Sequence, residues 1–314
     1  MKNIMINAIK DSKGIVLGAH INPDGDAVGA LVGMATLCGF LHIPYQVMLE
    51  NVPENFKELL EDIELNDTVT IDYDTFISVD CGDVDRLGKY KGLFEQAAVT
   101  INIDHHETNT YFADLNEVHA DASSSCEVVY EIIKEAKCPL TQSLVSGLYT
   151  GILTDTGGFM HPCTSARTHQ IVAELLQVPF DFTKIYYNQM VAKSEIATIM
   201  ESVAIGHLSQ LNNKSMYLAY VTAEEMKEKG ATKEDLGSIV SQVKNIKGCE
   251  VAIFIYPIEE EKYKVSFRSN APYDVAKIAT IFGGGGHIRA AGATLNGTLE
   301  QVIEHVCKAL NSES

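Results

Sequence analysis

The stretch His20-Ile21-Asn22-Pro23-Asp24-Gly25-Asp26 decides the fold of the first half of the chain. An apolar run, residues 14–19, precedes it, and an apolar pattern with helical spacing follows over 27–40. This order predicts a buried strand, a tight turn and the start of a helix. The turn carries an imidazole and two carboxylates, donors that suit a divalent transition ion such as Mn²⁺ better than Mg²⁺. The same residues are equally compatible with a capped turn that binds no metal.

Two later apolar runs also end in polar side chains that can bind metals. The run 75–79 leads into Asp80, and the run 97–103 leads into the Asp-His-His stretch 104–106. Another strand is predicted over 45–49, and helical patterns lie between and after these runs. Strands that alternate with helices indicate an α/β fold with a doubly wound parallel sheet, in which ligands gather outside the carboxyl ends of the strands.

The rest of the sequence indicates a second, smaller domain. We expect an N-terminal catalytic domain over 1–180, a helical linker over 181–207 and an α/β domain with a mixed sheet over 208–314. In the last of these, strands are predicted over 216–221, 251–256 and 263–269, and four glycines follow at 283–286. A length of 314 residues is sufficient for two domains with separate cores.

Composition excludes several classes of protein. No apolar run approaches the roughly 20 residues that span a bilayer, and the N-terminus has no signal-peptide pattern, so we expect a cytoplasmic protein without a membrane partner. Seven scattered cysteines argue against a disulfide framework and a zinc-thiolate site. The net charge of −18 argues against a grip on long nucleic acid, but it leaves room for a short anionic substrate in a cleft that holds metal ions.

The residues with metal-binding side chains are too many for one ion. They are His20, Asp24, Asp26, Asp80, Asp104, His105, His106 and Asp155. One ion takes three or four protein ligands, so this set fits two ions that share a carboxylate. Two such ions activate water and neutralise phosphoryl charge, which favours hydrolysis of phosphoesters or phosphoanhydrides. Taken alone, the 104–106 stretch is as compatible with a strand-end cap and a core histidine, and Asp155 with a turn.

Four ordered motifs resemble those of the DHH phosphoesterases: residues 20–26, 79–80, 104–106 and 154–157. The glycines and His287 at 283–287, with Ala-Ala-Gly at 290–292, resemble the DHHA1 domain that follows them. The likeness covers nearly the whole chain and is greatest to the bacterial oligoribonuclease/pAp phosphatase (nanoRNase) subfamily. It implies an enzyme that uses two Mn²⁺ ions, with Mg²⁺ or Co²⁺ as alternatives, to hydrolyse very short RNAs and 3′-phosphoadenosine 5′-phosphate (pAp). A homodimer is compatible with this resemblance.

The resemblance also implies a role for each motif residue. It assigns one metal to His20, Asp24 and Asp80, and the second to Asp26, Asp80, His105 and Asp155, so that Asp80 is the shared ligand and the bridging hydroxide is the nucleophile. Asp104 orients the neighbouring histidines, and His106 contacts the phosphate or acts as a general acid.

Substrate selection is expected in the second domain. Four consecutive glycines allow backbone N–H groups to approach phosphate oxygens, although a flexible loop explains them as well. The resemblance assigns the phosphate or nucleotide contacts to Arg268, Ser269, Gly285, Gly286 and His287, with Arg289 as a weaker candidate and His106 completing the set.

Two other functions are considered. One is a phosphodiesterase for cyclic or linear dinucleotides such as c-di-AMP or pApA. The sequence barely distinguishes this activity from the hydrolysis of very short RNAs and pAp. The other is a catalytically silent nucleotide sensor, which predicts the loss of at least one ligand. All eight motif positions carry competent residues, so the sensor is less favoured.

Overall fold

The computed structural model describes residues 2–211, 215–270 and 273–312. The chain divides into two compact units, Met1–Ala192 and Lys193–Ser314. The boundary falls within the 181–207 segment that the sequence analysis assigns to a linker, and this segment contains helices on both sides of the boundary.

The first unit alternates strands and helices. In chain order its elements are α1 (Lys2–Asp11), β1 (Ile15–Ala19), α2 (Gly25–Phe40), β2 (Tyr45–Met48), β3 (Thr75–Val79), α3 (Lys91–Gln96), β4 (Val99–Asp104), β5 (Leu115–Val118), α4 (Ser125–Glu135), α5 (Gln142–Asp155), α6 (Ala166–Leu175) and α7 (Phe182–Tyr186). Short 3₁₀ segments cover Glu54–Leu60 and Val84–Tyr90, and a π-helical turn covers Tyr187–Val191.

The five strands of the first unit form one sheet in the order β2-β1-β3-β4-β5, and every pair in it is parallel. The doubly wound parallel sheet is therefore confirmed. The sequence analysis missed β5, an edge strand of four residues. The strand order reverses between β1 and β3, and a crevice for ligands opens at the carboxyl end of such a switch point.

Both faces of this sheet are buried, because alternate residues of each strand point to opposite sides. Leu17 and Ile77 pack into the larger core with α2, α4 and α5. Val16 and Phe76, their neighbours in sequence, pack into a smaller core on the other face with the segment 84–96. Strands buried on both faces are held rigidly, so the side chains that follow their carboxyl ends have fixed positions.

The second unit contains a mixed sheet, as the sequence predicts, and the sheet has six strands, of which the sequence analysis predicted three. Its elements are α8 (Glu195–Gly206), β6 (Ser209–Gln210), β7 (Met216–Tyr220), α9 (Ala223–Lys229), α10 (Ile239–Lys244), β8 (Val251–Glu259), β9 (Lys262–Ser269), α11 (Val275–Ile281), β10 (Gly285–His287), β11 (Ala290–Asn296) and α12 (Leu299–Ser312). The strand order is β10-β11-β9-β8-β7-β6; β7 and β8 are parallel, and the other neighbours are antiparallel. The sequence analysis predicted no strand at β10 or β11.

None of the helices in the described part of the chain combines the length and the hydropathy that crossing a bilayer requires.

Candidate metal centre

The four motifs of the first unit meet at the carboxyl end of its sheet. His20 follows β1, Asp80 follows β3, and β4 ends at Asp104. Asp24 and Asp26 lie at the start of α2, and Asp155 is the last residue of α5. Residues from distant parts of the sequence are therefore brought to one place by the parallel order of the strands.

Asp80 occupies the middle of this group. One of its carboxylate oxygens, Oδ2, lies 3.4 Å from Nε2 of His20, and the other, Oδ1, lies 3.8 Å from Nε2 of His105. Its backbone is left-handed, with φ of 52°, which is uncommon for a residue other than glycine. The backbone N–H of Asp80 donates to the carbonyl of Ile103 at 2.9 Å, which holds this turn in place. Strained backbone of this kind concentrates at functional sites.

The two histidines that face Asp80 present the same ring nitrogen. Nδ1 of His20 donates to the carbonyl of Ile21 at 2.9 Å, and Nδ1 of His105 lies 3.4 Å from the carbonyl of Ala122. A carbonyl only accepts, so Nδ1 carries the proton and Nε2 is directed at the carboxylates. Metal-binding histidines are oriented in this way, with one nitrogen held by the protein and the other free for the ion.

The N-terminus of α4 holds two of the carboxylates. Backbone N–H groups of Ser125 and Cys126 donate to the two oxygens of Asp26, at 2.6 and 2.9 Å, and the Ser125 hydroxyl donates to Oδ1 of Asp80 at 2.9 Å. These groups are buried, and the positive end of a helix dipole stabilises the charge. The sequence analysis assigned no role to Ser125, because serines at the start of a helix are typically caps. Ser124 is indeed the cap, with its hydroxyl accepting from the N–H of Glu127.

Close packing of α5 against α2 and α4 brings Asp155 to the same pocket. A Cβ added at Gly151 would lie 2.3 Å from Sγ of Cys126 and 2.8 Å from Oδ1 of Asp26, so this contact requires a glycine. Four residues later in α5, Oδ2 of Asp155 lies 3.1 Å from Nε2 of His105. A residue that fits no motif, His161, donates from Nδ1 to the carbonyl of Asp155 at 3.0 Å.

Three groups of ligand atoms are close enough to hold metal ions. They are His20, Asp24 and Asp80; Asp26, His105 and Asp155; and Asp80, His105 and His106. Asp80 belongs to two of these groups. Within the described residues, no lysine or arginine forms an ion pair with Asp26, Asp80 or Asp155. Buried carboxylates of this kind need positive charge, and the mixture of carboxylate and imidazole donors fits a divalent cation.

Burial and neighbouring charges shift the pKa values of the side chains in this pocket. Burial alone would lower the pKa of His105, but the hydrogen bond with Asp155 and the charge of Asp26 outweigh it, and this pKa rises to about 10. Burial and the charge of Asp80 raise the pKa of the Asp26 carboxyl well above its usual value. Burial would also raise the pKa of Asp80, but the hydrogen bond and charge of His20 lower it. The pocket therefore stabilises positive charge, which a divalent cation supplies in concentrated form.

Asp104 and His106 form a hydrogen-bonded pair beside the ligand groups. Nδ1 of His106 lies 2.7 Å from Oδ1 of Asp104, and this contact raises the pKa of His106. Oδ2 of Asp104 accepts from the side chain of Asn109 at 2.5 Å, so both oxygens of this buried carboxylate are engaged. Asp104 belongs to none of the three ligand groups. The sequence analysis did not identify Asn109, although it lies three residues after the Asp-His-His stretch.

In the second unit, Arg268 is half-buried on β9 beside Ala290 of β11. Burial lowers the pKa of its guanidinium group, which donates to the carbonyl of Phe267 and has no ion-pair partner among the described carboxylates. The neighbouring Ser269 is buried, and its hydroxyl donates to the carbonyl of Tyr273 at 2.7 Å. Arg268 is thus available to an anion, whereas Ser269 fastens the adjacent turn.

The glycine stretch forms the edge of the sheet of the second unit. Gly285, Gly286 and His287 constitute β10, which pairs with β11 and is exposed, as is Arg289. A Cβ added at Gly284 would lie 2.3 Å from the carbonyl oxygen of Gly292, whereas one added at Gly285 would have no described neighbour within 4 Å. The fold therefore requires a glycine at 284 but not at 285.

Comparison with known proteins identifies both units. Residues 14–152 match the DHH family, N-terminal domain, and residues 213–313 match the DHHA1 domain. A bifunctional oligoribonuclease and PAP phosphatase, NrnA, from Bacillus subtilis is 28% identical over 302 residues, which cover 94% of this chain and 93% of that protein. The protein of the same name from Thermus thermophilus is 29% identical, and the alignment covers 95% of this chain and 90% of that protein.

A solved structure supports the fold of the whole chain. An exopolyphosphatase-related protein from Bacteroides fragilis superposes with a TM-score of 0.86 at 24% identity, covering 99% of this chain and 95% of that protein. At this identity the likeness concerns the fold alone.

Proposed function

Because the chain belongs to the DHH family, with a DHH domain followed by a DHHA1 domain, we propose that it is a metal-dependent phosphoesterase for very short oligoribonucleotides and pAp. The relatives from B. subtilis and T. thermophilus are both named as oligoribonuclease and PAP phosphatase. The observation that carries the proposal is the position of Asp80, whose two oxygens face histidines from two different motifs. This arrangement suits a carboxylate shared between two cations.

Two metal sites are assigned from the donor groups. The first is the group of His20, Asp24 and Asp80. The second is the group of Asp26, His105 and Asp155, to which we add Asp80 because its Oδ1 lies 3.8 Å from Nε2 of His105. Imidazole nitrogen among carboxylate oxygens favours Mn²⁺, with Co²⁺ and Mg²⁺ as alternatives. Two cations held by these residues would supply an activated water and would offset negative charge on the phosphoryl oxygens.

The side chains around these sites have supporting roles. Ser125 and the N-terminus of α4 hold Asp26 and Asp80 in place. Asp104 holds Nδ1 of His106, which leaves Nε2 of that ring for a phosphate oxygen or the leaving group. Catalysis then depends on carboxylates and imidazoles that do not need to reorganise when the substrate arrives.

The charge of the protein supports a short substrate. A net charge of −18 argues against the broad basic surface that binding of a long strand requires. Arg268, a half-buried guanidinium without a described carboxylate partner, can hold one terminal phosphate, and His287 and the N–H groups of the exposed glycines can add contacts.

A substrate panel with Mn²⁺ tests this function. We expect turnover of pAp and of dinucleotides such as pApA and GpG, and none of a long RNA strand or of pyrophosphate. Asp155→Asn should abolish turnover, whereas Asp121→Asn, an exposed aspartate outside the ligand groups, should retain it. A wild-type protein that binds nucleotides but turns over none of them would overturn the proposal in favour of a sensor. Turnover of c-di-AMP without turnover of pAp would favour the dinucleotide alternative.

Substitutions of two neighbouring glycines distinguish an effect on substrate binding from an effect on folding. Gly284→Ala places a methyl group against the carbonyl of Gly292 and should lower the melting temperature. Gly285→Ala meets no described atom, so it should leave the melting temperature unchanged while raising the KM for pAp, because the methyl group keeps phosphate from the backbone. An unchanged KM in Gly285→Ala would exclude this loop from phosphate binding.

A further inference from the structure

Asn109 joins two of the loops that carry the metal centre. It lies in the loop after β4, is 8% exposed, and donates from Nδ2 to Oδ2 of Asp104 at 2.5 Å and to the carbonyl of Cys81 at 3.3 Å. Its own oxygen, Oδ1, accepts from the N–H of Tyr111 at 2.6 Å. The side chain therefore connects the loop after β3 with the loop after β4, and both of its polar ends are in use.

The contact with Asp104 determines how that carboxylate can rotate. Asp104 is fully buried, and its other oxygen, Oδ1, is bound to Nδ1 of His106 at 2.7 Å. Without the Asn109 amide, Oδ2 of a buried carboxylate would lose its side-chain donor, which is costly in the interior of a protein. The carboxylate would then turn towards another donor, and the hydrogen bond that fixes the imidazole plane of His106 would weaken.

The orientation of the His106 imidazole determines where its Nε2 atom points. It forms no hydrogen bond or ion pair with any residue in the described part of the chain, and the ring is partly exposed beside Asp80. A ring that rotates freely would direct Nε2 at the pocket for only part of the time. A ring held through Nδ1 keeps it there.

We propose that Asn109 is a positioning residue for phosphoester hydrolysis, which acts through Asp104 to hold Nε2 of His106 towards the substrate phosphate. This inference rests on the proposed function and adds to it a residue outside the metal ligands. None of the described hydrogen bonds of the Asn109 side chain reaches a proposed metal ligand, so its effect on His106 is transmitted by Asp104.

Kinetics of pAp hydrolysis with Mn²⁺ test this coupling. Asn109→Ala should lower kcat/KM by about 10- to 100-fold, the usual effect of a partner that orients an active-site group, while the affinity for Mn²⁺ is retained. In a His106→Ala background the same substitution should cause no further loss, because the residue through which it acts has been removed. Losses that multiply in the double variant would overturn the proposal, since Asn109 would then act by a separate route.

Two comparison variants separate positioning from folding. Asn116→Ala is the matched control: Asn116 lies in β5, its side chain donates to the carbonyls of Ala113 at 2.7 Å and Tyr111 at 3.5 Å, and none of its described hydrogen bonds reaches Asp104. Its activity should equal that of the wild type. Asn109→Asp preserves the acceptor for Tyr111 and places a carboxylate against Asp104, so it should lose at least as much activity as Asn109→Ala. A fully active Asn109→Asp variant would contradict the proposal.

A measurement on the metal-free protein needs no turnover. Nuclear magnetic resonance of the His106 ring should show a hydrogen-bonded Nδ1 proton protected from exchange with water in the wild type and in Asn116→Ala. In Asn109→Ala this proton should exchange faster; unchanged exchange would refute the positioning role. If the wild type hydrolysed no phosphoester, the proposed function would fail, and the ring measurement would still decide whether Asn109 positions His106.

Discussion

Removing the Ser125 hydroxyl tests how the shared carboxylate is held. In the wild type this hydroxyl donates to Oδ1 of Asp80 at 2.9 Å, and both residues are at most 2% exposed. Ser125→Ala deletes that bond alone, because the N–H of residue 125 that binds Asp26 belongs to the backbone and remains.

The magnitude follows from the charge and burial of this bond. A hydrogen bond to a charged group contributes about 1.5–3 kcal/mol. Since about 1.4 kcal/mol corresponds to a tenfold change in an equilibrium constant, the affinity for Mn²⁺ should fall by about 10- to 100-fold. The same range is typical for loss of a group that orients a metal ligand. Both proposed metal sites should weaken, because Asp80 is assigned to both.

Titration calorimetry with Mn²⁺ measures this effect, and Ser124→Ala provides the control. Ser124 precedes Ser125 and caps α4 by accepting from the N–H of Glu127 at 3.1 Å. Its loss should destabilise the helix by about 1 kcal/mol and lower the melting temperature, with little change in metal affinity. Equal affinities for Mn²⁺ in Ser125→Ala and Ser124→Ala would show that the Ser125 hydroxyl contributes nothing specific to the metal ligand Asp80 proposed here.

Further predictions concern packing and pH. Gly151→Ala should destabilise the protein by about 1–3 kcal/mol in urea unfolding, because the new methyl group would lie 2.8 Å from Oδ1 of Asp26. Gly39→Ala, also in a helix but with no neighbour within 4 Å, should instead stabilise it by up to about 1 kcal/mol. Burial would raise the pKa of Glu225, but the hydrogen bond with His207 helps to lower it. Its contribution to stability is therefore present above the ordinary glutamate pKa of about 4.3 and is lost as the pH falls through the lower folded value. Between about pH 5 and 3, the unfolding free energy should fall more steeply in the wild type than in Glu225→Gln; parallel curves would contradict this assignment.

The sequence predicted the first sheet and the convergence of its motifs because the signals were local. An apolar run followed at once by Asp80, or by the Asp-His-His stretch, predicts a strand and the polar end of that strand together. The rule that parallel strands gather ligands at their carboxyl ends then brings the motifs into one place. Edge strands carried no such signal: β5 is short and mixed in character, and β10 is built largely from glycine, which has low strand propensity.

The sequence analysis did not identify the roles of Ser125 and Asn109 for another reason. Their roles depend on partners that only the fold supplies: Ser125 binds a carboxylate 45 residues earlier, and Asn109 binds the carbonyl of Cys81, 28 residues earlier. A serine before a helix is typical of a cap, and an asparagine in a loop is typical of a turn. Both local interpretations are reasonable, and neither can reveal a contact with another motif.

If Asp80 is shared by two cations, its loss should affect the binding of both, and the number of Mn²⁺ ions bound per chain measures this. Calorimetry, or the Mn²⁺ electron paramagnetic resonance signal, should give two tightly bound ions in the wild type and in Asp121→Ala. Asp80→Ala should lose tight binding at both sites, since each site is missing a ligand. Two ions retained in Asp80→Ala, or the loss of one ion with the other bound as tightly as before, would show that Asp80 is not shared.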